Sequence, residues 1–264
     1  MLLQKIADAF RQKFPNVEFR IINANGRTVF NNLGKKVVAI FNYDNYRSSS
    51  NCIDNLRMMG IIFRSPCPYC NCDSMDIIEY DDLNGDQSEQ ALLDLDHFFP
   101  KSKFPFLAVS IFNLVPSCHN CNGRIKRDIE FRLETHIHPF LESFEDHFTF
   151  FLETPYYDGI NQEELEIVYK NRIHSTFPPN SITDLRLISR YHSTRPELYR
   201  MLRWLSTDRY QLLANLFGDA EAENQKKIDY NVAGIPFSRS EISKFVLGKL
   251  KIDIHDDYLN VTSL

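Results

Sequence analysis

What the sequence lacks narrows its class first. No apolar run approaches the ~20 residues that a bilayer span requires. Stretches such as Val37-Val38-Ala39-Ile40-Phe41 are typical of what is present, so a helical membrane protein is excluded. The start, Met1-Leu2-Leu3-Gln4-Lys5-Ile6-Ala7-Asp8, carries charge where a signal peptide would carry an apolar h-region, so a soluble, cytoplasmic protein with no membrane partner is expected. Repeats and low-complexity tracts are missing too, and disorder is not the default for this composition. Nor is there a basic excess. A formal net charge of −5 and an isoelectric point near 5.9 argue against coating nucleic acid by bulk charge.

What is present suffices for one sizeable globular domain or two smaller ones, with 264 residues of which 43% are hydrophobic. Six cysteines would suit a disulfide framework in a short secreted chain. In a long chain without an export signal, paired Cys-x-x-Cys units point instead to metal or catalysis. Charge is unevenly distributed. Asp73 to Asp96 holds nine acidic residues and no Lys or Arg, whereas His97 to Arg132 holds Lys101, Lys103, Arg124, Lys126, Arg127 and Arg132 against Asp128 and Glu130. A second basic stretch, Arg186 to Arg209, carries six arginines on a helical pattern. Taken alone, such runs read as solvated faces.

Leu3, Ile6, Ala7 and Phe10 have helical spacing. Strand-like pieces follow at Val17 to Ile22 and Lys36 to Tyr43, with an Asn25-Gly26 turn between them. Residues 63 to 128 change character, packing cysteine pairs, acidic residues and turn formers together. From Arg132 onward helix is expected to dominate. Its clearest instance has Pro196 at a first helical position after Thr194 and runs through Leu198, Met201, Leu202, Leu205, Leu212, Leu213 and Leu216 to Gly218. The tail from Ile252 to Leu259 is too short to assign.

Two knuckles, Cys67-Pro68-Tyr69-Cys70 and Cys118-His119-Asn120-Cys121, can each supply half of a tetrahedral Zn²⁺ shell, and the 47 residues between them become a loop closed by the metal. Cys52 and Cys72 lack a partner at ligand spacing and read as small apolar side chains. His119 is expected to point away from a zinc already holding four thiolates. Between and around the knuckles lie Leu93-Asp94-Leu95-Asp96-His97-Phe98-Phe99-Pro100-Lys101-Ser102, Asn113-Leu114-Val115-Pro116 and Asn122-Gly123-Arg124-Ile125-Lys126.

In this order the motifs resemble the ββα-metal core of HNH endonucleases, with His97, Asn113 and Asn122 in the three name-giving positions. Fifteen residues separate the first pair and eight the second. The resemblance covers about a quarter of the chain. Many members carry histidine where Asn122 stands, although the HNH domains of CRISPR effectors are similar to this chain there. The resemblance implies that Asn113 ties the loop after the base. Compact HNH proteins of bacterial anti-phage defence look similar, and some work beside an ATPase partner.

The chemistry of the residues supports the same roles. Phosphodiester hydrolysis needs a base, and imidazole titrates near neutrality, so His97 is the candidate. Asp96 and Asn122 offer oxygens that suit a catalytic Mg²⁺ or Mn²⁺, in addition to the structural Zn²⁺. Asp94, two residues before Asp96 on an extended segment, is a supporting carboxylate or an extra ligand. Lys126 and Arg124, placed in the first turn of the following helix, are expected to contact the phosphates of a nucleic acid, DNA first. His136, His138 and His147 have no ligand spacing and read as structural.

The expected fold is α+β, with an N-terminal α/β segment over 1–62, the HNH core over 63–130 and a mainly α-helical region over 131–264. Three functions stay open: a nuclease, which the motifs favour, a zinc-bound nucleic-acid-binding module without chemistry, and a degenerate HNH scaffold.

Overall fold

The computed structural model describes residues 2–61, 64–157, 159–207 and 221–262. It is mixed α/β with small sheets, and its chain forms two compact units. One consists of Met1–Arg64, Met75–Glu142 and Pro178–Leu185, the other of Ser65–Ser74, Ser143–Phe177 and Arg186–Leu264. No helix among the described residues is long and apolar enough to cross a membrane.

In the first unit, helix α1 (Leu2–Lys13) buries Leu3 and Ala7 on the face that its spacing marks out. Strands β1 (Arg20–Ile22) and β2 (Thr28–Phe30) pair antiparallel around Asn25-Gly26, where Gly26 takes the left-handed φ of 72°. The strand expected over Lys36 to Tyr43 is helical instead. Asn31 caps α2 (Asn32–Ile40) by accepting a hydrogen bond from the Gly34 amide, and the short apolar run carries no period of its own to oppose that cap. Gly34 is needed there, because a Cβ would stand 2.3 Å from the Phe19 carbonyl oxygen. Helices α3 (Tyr43–Arg47) and α4 (Ser50–Met58) follow, the latter burying Leu56 and Cys52, as a small apolar side chain would be.

Most of the acidic run falls on the hairpin of β4 (Ser74–Asp81) and β5 (Gln87–Leu92), whose tip is exposed; a two-residue strand β3 (Ser65–Pro66) precedes them in the chain. Next comes the hairpin that positions the site. Strand β6 (Asp94–His97) pairs antiparallel with β7 (Leu114–Ser117), setting Asp94 opposite Ser117 and His97 opposite Leu114. The Arg47 guanidinium holds the entry to β6 by donating to the Leu93 carbonyl at 2.8 Å. A seven-residue helix, Asn120–Lys126, leaves β7 and packs on β6.

The second unit departs from the mainly helical expectation by a β-hairpin, β8 (Phe148–Leu152) with β9 (Ile167–Asn171). Phe148, Phe150 and Leu152 alternate inward, and the helix Gly248–Thr262 packs against them. That helix includes the tail from Ile252 to Leu259, too short to assign from sequence. Helix Arg195–Ser206 begins after Thr194 with Pro196 in its first turn and buries Leu198, Met201, Leu202 and Leu205. The remainder of the expected run, Leu212, Leu213, Leu216 and Gly218, lies outside the described residues, as does Arg209. Arginines of the second basic stretch serve packing within this unit. Arg190 pairs with Asp73 at 2.9 Å, and Arg195 donates to the Leu165 carbonyl at 2.7 Å.

The same unit holds a partly buried charge cluster. His255 sits between the carboxylates of Asp229 (3.1 Å) and Asp256 (3.4 Å), and Arg239 bonds Asp256 from the other side. Burial works against the imidazolium, but the two carboxylates outweigh it and raise His255 from 6.5 to about 9. A raised folded-state pKa means stability that is complete below about 6.5 and lost as pH climbs through about 9. Chemical unfolding should therefore show stability falling over that window by up to about 3 kcal/mol, and His255→Gln should flatten the slope. Equal slopes for both proteins would assign the pH dependence elsewhere.

Candidate active-site cleft and cysteine cluster

The β6–β7 hairpin and the helix after it bring the sequence-selected residues to one place. Asp96, His97 and Asn122 line a common cavity of about 330 Å³ together with Tyr43, Lys101 and Arg127. His97, last on β6, directs Nε2–H at the Ala108 carbonyl oxygen, 2.9 Å away. A carbonyl can only accept, so the proton resides on Nε2 and Nδ1 remains the basic nitrogen. Burial is the main reason that the ring's pKa drops to about 4; the bond to Ala108 opposes that, and the nearby charge of Lys101 adds to it. The imidazole is therefore neutral at physiological pH. Tyr43 meets it edge-on with ring centroids 4.6 Å apart, and burial pushes the Tyr43 phenol up to about 12, so it does not compete as a base.

Asn113 is completely buried. Its amide donates to the carbonyls of Phe99 and Leu107, each at 3.1 Å, and accepts from the Phe99 amide at 2.8 Å. Both ends of the loop leaving His97 are thus tied to one side chain.

Lys126 is not where the sequence reading put it. The short helix is wound with an i→i+5 bond, Arg127 N–H to the Asn122 carbonyl at 3.0 Å. Both Lys126 and Arg124 fall in its last turn rather than its first, and the Lys126 side chain is 1% exposed. The Lys126 ammonium donates to Asp96 at 2.9 Å and to the His97 carbonyl at 2.8 Å. A lysine enclosed in this way holds the strand carrying Asp96 and His97, whereas the exposed Arg124 of the same helix faces solvent. Removing one partner of such a pair strands a buried charge, so Lys126→Met should lose about 3–5 kcal/mol of stability in denaturant unfolding. A phosphate contact would leave stability unchanged and lower the salt dependence of nucleic-acid binding.

Asp94 carries a second linkage. Its Oδ2 accepts from the Asn122 amide at 3.1 Å and lies 3.0 Å from His119 Nδ1. The His119 ring passes over Gly123, where a Cβ would stand 2.5 Å from it. Sequence spacing did not suggest a role for His119, and it could not supply Tyr43, which lies some fifty positions from His97. The three histidines that read as structural have partners of their own. His136 meets Asp184 at 3.0 Å, His138 the Phe112 carbonyl at 3.0 Å and His147 the Ser175 hydroxyl at 3.1 Å.

The thiols of Cys67, Cys70, Cys118 and Cys121 are all buried and lie within 4.8 Å of one another. Four thiolates about 2.3 Å from a tetrahedral Zn²⁺ stand roughly 3.8 Å apart, so the donor set and spacing fit a closed structural metal site. Cys67-Pro68-Tyr69-Cys70 is held by Asn71, which takes the left-handed φ of 55° and whose side chain donates to the Phe245 carbonyl and accepts from the Lys249 amide. Cys72 is half-buried and approaches Cys70 and Asp73, so it is not simply an apolar filler.

Over 85 residues the chain is 32% identical to Septu protein PtuB of Bacillus thuringiensis. It is a distant relative of that Septu protein. The likeness spans 32% of this chain and 28% of the PtuB protein's length. No family model matches the chain. No solved structure matches it either.

Proposed function

We propose that this chain is a metal-dependent HNH-type endonuclease of anti-phage defence, cutting nucleic-acid phosphodiester bonds with DNA as first candidate. The observation that carries this reading is a neutral histidine, His97, locked by Ala108 into the tautomer with a basic Nδ1, in one cavity with Asp96 and Asn122. The catalytic core is the segment 63–130, flanked by 1–62 and 131–264.

His97 takes a proton from water at Nδ1 as the water oxygen bonds to phosphorus. The bond from phosphorus to the leaving strand's oxygen then breaks, and solvent protonates that oxygen. Ala108 fixes the ring, Asn113 fixes the loop beyond it, and Lys126 fixes Asp96. Arg20, Lys101 and Arg127 line the cavity as cations for the phosphate, and exposed Arg124 meets the adjoining backbone. Asp96 and Asn122 would hold Mg²⁺ or Mn²⁺, Asp94 orienting the Asn122 amide so that its oxygen is the ligand atom. When bound, such an ion supplies charge compensation on the phosphate and leaving oxygens. Anti-phage defence is supported by the Septu likeness, which also favours a partner protein within the same system, an ATPase being the class that the motif resemblance implies.

A zinc-bearing nucleic-acid-binding module without chemistry is the second reading, and the pairing of buried Asp96 with Lys126 favours it. Purified protein should be incubated with plasmid, linear duplex, single-stranded DNA and RNA, in Mg²⁺, Mn²⁺ or chelator. Cleavage that chelator abolishes supports the nuclease; binding without cleavage under every condition supports the module.

A further inference from the structure

A second cavity, of about 480 Å³, lies beside the cleft in the same unit and shares Arg20, Ser102 and Asp128 with it. Its apolar side is built of neighbouring rings, Phe14 tilted and Phe19 stacked against Phe10. Phe10 lies 5.4 Å from Phe14 and 5.6 Å from Phe19, centroid to centroid, and the Arg11 guanidinium stands 4.7 Å over Phe104. Phe14 is 44% exposed, and Pro15 and Val17 beside it are exposed too. An isolated exposed ring needs no explanation, but this one tops a floor of further rings in a cavity that shares lining residues with the one holding His97.

The rim is ionic. Arg11, Lys103 and Arg132 all converge on Glu130, and Arg11 also approaches Asp8 at 3.7 Å, so three cations share two carboxylates. Arg20 reaches exposed Asp128 at 4.0 Å, and Glu18 completes the acidic lining. Among the lining residues, four cations thus face three carboxylates around an aromatic floor.

Resting on the nuclease reading, we infer that this groove is a stacking subsite for an unpaired nucleic-acid strand, with bases against Phe14 and Phe10 and phosphates along Arg11, Arg20, Lys103 and Arg132 toward the cleft. A duplex hides its base faces inside the stack. A single strand, or an unpaired flank beside a duplex, can offer them to a ring, and base–aromatic stacking tolerates any sequence. Continuity with the cavity holding His97, together with the cationic rim, favours a nucleic-acid strand over an apolar peptide in the groove.

The test uses His97→Ala protein, so that the probe survives, and reads fluorescence anisotropy with labelled oligothymidylate and with a labelled duplex. Adding Phe14→Ala should weaken oligothymidylate binding roughly 5- to 100-fold while duplex binding stays within about twofold, and Phe14→Trp should restore it. Unchanged oligothymidylate binding, an equal loss for duplex, or no binding by the parent protein overturns the subsite. A melting temperature near the parent's confirms that the exposed substitution leaves the fold intact. Failure of the nuclease reading is a separate result: the wild type would cut nothing although oligothymidylate binding still depended on Phe14.

Discussion

Replacing Cys118 by serine is expected to release the metal and take the folded chain with it. The wild type should carry about one tightly held zinc, as a closed four-thiolate site does. All four sulfurs are buried within 4.8 Å of one another, and such a group is unfavourable without a cation, because several thiolates cannot be held that close unneutralised. Structural zinc is worth about 10–16 kcal/mol in apparent binding free energy, whereas domains are commonly stable by only about 5–15 kcal/mol. Losing one ligand of four therefore threatens the whole folding free energy. Serine is close in size to cysteine, so the loss reports ligand chemistry rather than a packing hole. Elemental analysis with circular dichroism should find Cys118→Ser depleted of zinc and largely unfolded, and chelation should do the same to the wild type. A variant retaining one zinc and the wild-type melting temperature would remove the cysteines from the metal site.

Cys67, Cys70, Cys118 and Cys121 were legible because ligand spacing is a local property of the chain, and the structure gathers the four as that spacing implied. His97, Asp96 and Asn122 meet in one cavity for a related reason: two short strands and a seven-residue helix leave few ways to arrange them. Lys126 was misplaced because spacing assumes an ordinary α-helix, and an i→i+5 turn carries the last residue back over the strand. Tyr43 was not legible, since its contact with His97 is made by folding across some fifty residues. The α2 segment read as strand because Val37-Val38-Ala39-Ile40 is too short to show a period, and the deciding signal was the Asn31 cap before it. The β8–β9 hairpin is hard to read against a helical background, although Phe148, Phe150 and Leu152 alternate as a half-buried strand should.

The other large effect concerns the base. Truncating His97 removes the neutral imidazole while leaving the four cysteines, the Lys126–Asp96 pair and the exposed cations of the cavity in place. A general base contributes roughly 10²- to 10⁴-fold, so His97→Ala should lose that much in the rate of the chemical step. Zinc content and nucleic-acid affinity should stay near wild type, because neither depends on the imidazole. Asp96→Ala and Asn122→Ala should behave differently, with partial recovery at raised Mg²⁺ or Mn²⁺, since the proposed mechanism has them act through the ion rather than the proton. The most direct measurement is single-turnover cleavage by wild type and His97→Ala, under identical metal conditions, on whichever nucleic acid the wild type cuts. The account predicts a His97→Ala rate at least about a hundredfold lower with unchanged zinc content. Equal rates would contradict it and place the chemistry at another site.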